Sequence, residues 1–195
     1  MNILGAFAEG FAKKLGAGLD KMAIHGINPA TGQSAPSIAA KAFDTVVTNK
    51  VSYVAAQADA NLDDAVALVE ANEYDANGAI IAPAMRSALA ALSTTDGGRK
   101  YPDFAFGGIP GALGTMKLDK NATVSAGGSD DKAIVGDFEN AFRWGIAKEM
   151  PLETIEYGDP DGQGDLKKFN QILLRSEAYI GWAIMDKDAF AIVGA

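Results

Sequence analysis

FRWGIAKEMPLETIEYGDPDGQGDLKKFNQILLRSEAYIGWAI, residues 142–184, reads as two long alternating β-strands joined by an acidic turn at 158–165. On the first limb Phe142, Trp144, Ile146, Met150 and Leu152 share one face, with Arg143, Glu149 and Glu153 opposite. On the second limb Ile172, Leu174, Ala178, Ile180, Trp182 and Ile184 share a face, with Arg175 and Glu177 opposite. Period-two alternation implies a sheet with one buried and one wet face. Ordinary strands run about 5–6 residues, whereas each limb here has room for on the order of a dozen. At about 3.3 Å per residue that is an arm of roughly 40 Å. A compact chain of this size has a radius of gyration of only about 16 Å. An arm of that reach suits a subunit that lies flat and touches neighbours better than it suits a small enzyme.

Upstream, Phe7, Phe11, Leu15, Leu19 and Met22 recur at helical steps within residues 3–23, which predicts a long helix with one apolar stripe. Gly5, Gly10, Gly16 and Gly18 weaken it by roughly 1 kcal/mol each relative to Ala, so it should depend on packing along that stripe. Gly26 is the expected stop and residues 28–32 (NPATG) a turn. The abrupt start suggests that the natural protein continues upstream. Asn61 is expected to cap a second helix, with Asp63 and Asp64 in its first turn and Leu62, Val66 and Val69 on one face. A strand at 79–82 runs into Pro83, a favoured first helical residue, and Met85, Leu89 and Leu92 continue that helix. Short strands are expected at 114–118 and 133–138. The fold class is therefore α+β.

The 195 residues fit one or two domains with a real core. Net charge is −8 and pI about 4.6, which argues against gripping a phosphate backbone. The clusters Lys13, Lys14, Lys21 and Lys167, Lys168 read as solvated faces. Without cysteine, disulfides and thiolate sites are excluded. No apolar run reaches the length of a membrane span.

Chemistry-bearing residues are sparse. His25 is the only histidine, so a histidine-based triad would have to use it. Beside Gly26 it reads instead as a residue meeting the terminal carbonyls of its helix. A zinc site would need several carboxylates. Asp159, Asp161 and Asp165, with Gly164 at the sixth position, echo a Ca²⁺ loop. However, Gln163 takes the fifth position and Asn170 the twelfth, and the flanks are strands, so the tract reads as an exposed hairpin turn. The glycine-rich run 107–114 lacks the Lys-Ser/Thr of a phosphate loop and reads as a connection. Glu149 and Glu153 fall on a polar strand face. Trp144 and Trp182 read as core residues, with a subunit contact as the alternative. No catalytic, cofactor-binding or metal-binding residue is assigned.

Taken in order, several segments resemble a known family. GAIIAPAMRSALAALSTTDGGRKYP (78–102) is similar to the strand, Pro-capped helix and Asp-Gly turn of HK97-type tailed-phage major capsid proteins. GALGTMKLD (111–119), AIVGDFENAFRWG (133–145), NQILLRSEAYIGWAIMDKDAFAIV (170–193) and LDKMAIHGINPATG (19–32) resemble further segments of that family. The resemblance implies an HK97-like fold. A peripheral (P) domain would comprise residues 1–44 and 146–188, with a spine helix and the long hairpin. An axial (A) domain would comprise 45–145, with 189–195 returning to it. The family's N-terminal arm and extended loop are not matched, so weak contacts between capsomers, and monomers or small rings in solution, are expected. The turns at Thr95-Asp96-Gly97 and Ala126-Gly127-Gly128 are candidate tips around the ring axis. The implied function is structural and non-enzymatic: a capsid subunit forming pentamers and hexamers of an icosahedral shell. The shell would enclose DNA without sequence-specific binding, with scaffolding and portal proteins as partners. Its location would be the virion, and the host cytoplasm before assembly, with no membrane association. An encapsulin-like cage and, in another class, a small-molecule binding module or hydrolase are the alternatives.

Overall fold

Helix α1 (Ile3–His25) ends where Gly26 takes a φ of +65° and its N–H donates to the Met22 carbonyl at 3.0 Å. Only glycine fits there, because a Cβ on Gly26 would collide with the backbone of Ala39. The computed structural model describes residues 3–126, 130–149 and 153–194. They fall into two compact units, residues 1–12 with 144–182 and residues 13–143 with 183–195.

The second unit holds most of the chain. After α1, Asn28 turns the chain: Gly32 N–H donates to its carbonyl at 2.8 Å and Ala30 N–H to its side chain at 2.9 Å. Two single-turn helices follow, α2 (Pro36–Ala39) and α3 (Phe43–Val46), and then strand β1 (Lys50–Ser52). Helix α4 (Ala58–Glu70), strand β2 (Gly78–Ile81) and helix α5 (Pro83–Ala91) complete the first half. Strands β3 (Ala112–Leu113), β4 (Met116–Lys120) and β5 (Ala133–Gly136) come next.

Strands β6 (Phe142–Glu149), β7 (Glu153–Ile155), β8 (Leu173–Arg175) and β9 (Ala178–Ile184) make the ribbon, and β10 (Phe190–Gly194) ends the chain. One six-stranded sheet has the order β1-β10-β5-β2-β4-β3. In it β1 lies parallel to β10 and β2 parallel to β4, while β5 is antiparallel to both its neighbours.

The central strands β10, β5 and β2 are buried on both faces, and their alternation shows which residue serves which. Ala79, Ile81, Ala133, Val135, Ala191 and Val193 pack with Leu62 and Val69 of α4 and Met85 and Leu89 of α5. Ile134 and Ile192 face the other way, against Ile24, Phe43, Val124 and Phe190. There Phe43 meets Phe190 edge-on at 5.1 Å between ring centroids. Burying a side chain of this size stabilises by about 1.5–3 kcal/mol, and edge-on aromatic pairs add about 0.5–1.5 kcal/mol.

Three expectations need correction. The two limbs do not pair continuously. β6 and β9 form one two-stranded sheet, and β7 and β8, of three residues each, form another. On the second limb residues 176–177 lie outside any strand. Asn61 is not a cap, because the 3₁₀ turn Ala55–Gln57 leads directly into α4 and places Asn61 inside it, buried. Its side-chain oxygen accepts from Val54 N–H at 2.8 Å, tying the helix to the segment before it. Along the expected α1 stripe Phe11 and Leu15 are exposed and Leu19 and Met22 are half-buried, and near the C-terminus of α1 Ala23 and Ile24 are buried. Finally, the strand expected at 114–118 lies two residues later.

Candidate assembly surfaces

Among the described residues, side-chain chemistry converges most closely on His25. The buried ring donates from Nε2 to the Thr123 carbonyl at 2.6 Å and is bonded through Nδ1 to Asp44 Oδ2 at 2.7 Å. A carbonyl can only accept, so Nε2 carries a proton, and the bond to the Asp44 carboxyl holds a second. Burial pushes the histidine down. The bonds to Asp44 and Thr123 and the charges of Asp44 and Asp131 outweigh burial, so the ring titrates above its ordinary value. His25 therefore does not meet the carbonyls of its own helix; it fastens the end of α1 to α3 and to the segment before β5. Asp131 completes a set of three donors lying within 4.8 Å of one another. A metal ion here would have to displace a proton from a ring nitrogen already engaged with an acceptor. The second Asp44 oxygen, Oδ1, is buried with no hydrogen-bond partner among the described residues.

A buried carboxylate shapes the turn after β5. Burial raises the Asp137 carboxyl, but hydrogen bonds from the Asn140 side chain and backbone and from the Asn77 side chain outweigh that and hold it below the usual carboxylate range. Asn140 N–H donates at 3.0 Å, and the Asn77 oxygen in turn accepts from Phe138 N–H at 3.0 Å. This lattice fixes Phe138 beside β2, where a Cβ on Gly78 would press on its ring at 3.0 Å.

The tract 158–165 uses its carboxylates on its own backbone. Asp159 accepts from Gly164 N–H at 2.9 Å, Asp161 from Gln163 N–H at 3.2 Å, and Asp165 from Lys167 N–H at 2.8 Å. Gly158, Gly162 and Gly164 take positive φ to make the bends. The run 107–114 is an irregular connection with a two-residue strand in it. Glu153 is exposed.

The exposed surface carries more than the expected polar residues. On the ribbon, Trp144 is 61% and Ile146 44% exposed, with Tyr179 and Ile172 also exposed. Trp144 is thus not a core residue, while Trp182 is half-buried. The turn at 95–97 is an exposed hairpin tip, closed by Thr94 N–H to the Gly98 carbonyl at 2.7 Å. The other expected tip, at 126–128, lies mostly outside the described residues.

Sequence reasoning missed Phe106. It is fully exposed and sits at φ 53°, ψ 30°, a left-handed conformation that costs a bulky residue about 1–3 kcal/mol. The Arg86 guanidinium donating to the Phe104 carbonyl at 2.6 Å and Gly108 N–H donating to the Ala105 carbonyl at 2.9 Å hold the loop in that shape. Arg99 stacks over the Phe106 ring at 5.3 Å.

Residues 1–194 match the phage capsid family. The chain belongs to it. A solved structure from Mycobacterium phage Ogopogo is 32% identical with a TM-score of 0.88, covering 100% of this chain and 68% of that one. One from Gordonia phage Cozz is 26% identical with a TM-score of 0.85, covering 98% of this chain and 63% of that one. A structure described as the capsid of an empty GTA particle shares the fold at 18% identity and a TM-score of 0.65, with 99% of this chain and 66% of that one covered. The chain thus spans about two thirds of the length of these relatives. Among curated proteins none matches it. Family and fold together make this a major capsid protein of the HK97-type tailed-phage class, a structural protein. Among the described residues no helix is long and apolar enough to cross a membrane.

Proposed function

We propose that this capsid subunit assembles into pentamers and hexamers and closes an icosahedral shell around a phage genome, without catalysing a reaction. The observation that carries this reading is the ribbon. A two-stranded sheet is marginal by itself in water, yet β6 presents Trp144 and Ile146 to solvent and β9 presents Tyr179. Apolar surface of this kind marks a face awaiting a partner. In a symmetric shell that partner is the same chain, so one modest contact recurs at every subunit. Residues 1–44 and 146–188 serve as the peripheral domain and 45–145 as the axial domain, with β10 returning to the axial sheet.

The net charge of −8 suits a shell that encloses DNA without gripping it. Scaffolding and portal proteins are the expected further partners, the virion the final location and the host cytoplasm the site of assembly. Electron microscopy of the assembled product tests this reading: rings and closed shells support it, and a subunit that stays single at all concentrations contradicts it.

A further inference from the structure

Phe106 is a rigid projection, and an open groove lies on the other side of the same sheet. The segment carrying Phe106 belongs to the face covered by α4 and α5, since Phe104 packs with Met85 and Leu89. The groove is lined by Asn77, Ile80, Lys117, Asp119, Phe138 and Glu139 and has a volume of about 260 Å³. Ile80 packs with the opposite core cluster, alongside Phe138. The register pairs Gly78 with Lys117 and Ile80 with Asp119 across the parallel strands, which puts these side chains on that face.

The charges match as well. Arg99 lies over the Phe106 ring and has no ion pair among the described residues. At the groove, Lys117 is already paired with Glu139 at 2.8 Å, whereas Asp119 has no cationic partner among the described residues. Projection and groove cannot meet within one sheet. Two different patches on opposite sides of a subunit are what a head-to-tail ring requires, each copy giving one and receiving the other.

We propose that Phe106 of one subunit seats in this groove of a second copy, with Arg99 meeting Asp119 at its rim. This rests on the ring-forming reading above and names the contact that closes the ring. The backbone strain at Phe106 then has a use, because it fixes an aromatic anchor in its docked position before the partner arrives.

The test places a photoreactive benzophenone amino acid at position 106 of the full chain and maps the adduct by mass spectrometry. It is joined by Phe106→Ala, Arg99→Asp, Asp119→Arg and the double charge exchange, followed by mass photometry across concentration. All these positions are exposed, and thermal unfolding checks that the fold is kept. The expected result is an adduct within residues 77–80, 117–119 or 138–139 of another copy. Phe106→Ala should raise the concentration needed for rings by about tenfold or more. Each single charge change should also weaken rings, and the double exchange should restore them. If rings form but the adduct maps elsewhere, or Phe106→Ala assembles like the parent, this contact is wrong and the ring-forming reading stands. If the parent chain never forms rings and no adduct joins two copies, both fail.

Discussion

His25 and Asp44, 19 residues apart, join the end of α1 to α3 through a 2.7 Å bond whose proton is held more tightly in the folded protein than in a free histidine. A group with a raised folded-state pKa lends stability that is complete below the unfolded value, about 6.5, and is lost as pH rises through the folded value. The subunit should therefore be more stable at pH 6 than at pH 8 by this contribution. Urea unfolding at both pH values checks it. His25→Gln should lose about 1–3 kcal/mol at pH 6 and flatten the pH dependence above 6.5. An unchanged slope would place the pH sensitivity elsewhere.

Asp137 works in the opposite direction. Its carboxyl is held below the usual range, so its stabilisation is present above about pH 4 and is lost as pH falls through the depressed value. Asp137→Ala leaves Asn77 and Asn140 donors unpaired and should cost about 1–3 kcal/mol at pH 7. Circular dichroism melts of this variant and of Asn77→Ala should give overlapping losses, because both residues act on the same turn.

Gly26 and Gly16 should respond oppositely to alanine. At Gly26, positive φ and the nearby Ala39 backbone oppose a Cβ, and Gly26→Ala should destabilise by about 1–3 kcal/mol or more. At Gly16, in mid-helix, an added Cβ meets nothing within 4 Å, and Gly16→Ala should stabilise by about 0.5–1 kcal/mol. Denaturant midpoints of the two variants provide the comparison.

The exposed Trp144 should matter to assembly and not to folding. Trp144→Ser should leave the unfolding midpoint of the single subunit within about 0.5 kcal/mol of the parent and reduce association measured by light scattering. A large loss of subunit stability would show that Trp144 serves the fold of one chain.

Local chemistry made much of this fold legible. Pro83 at the first turn of α5 and the left-handed Gly26 after α1 are signals confined to a few residues, and both stand where the sequence placed them. Features built from distant pairings were not legible. Nothing local shows that β10 lies between β1 and β5, pairing Ile192 with Lys50 and Ile134. No periodicity reports a partner about 140 residues away. The role of His25 was obscured in the same way, because its acceptors come from α3 and from Thr123. The alternation of the ribbon was real on β9, where residues 178, 180, 182 and 184 are half-buried and those between are exposed. On β6 alternation misled, because apolar Trp144 and Ile146 face solvent in the single chain. Phe106 was missed because glycine and proline around it signal only a loop, while its strain depends on how Arg86 and Gly108 clamp that loop.

The central claim is that these surfaces exist to join copies of one chain. Class-averaged electron micrographs of the purified protein over rising concentration test it most directly. The account predicts ring-shaped particles with five- and sixfold averages. Single subunits at every concentration, with no ring in any class, would contradict it.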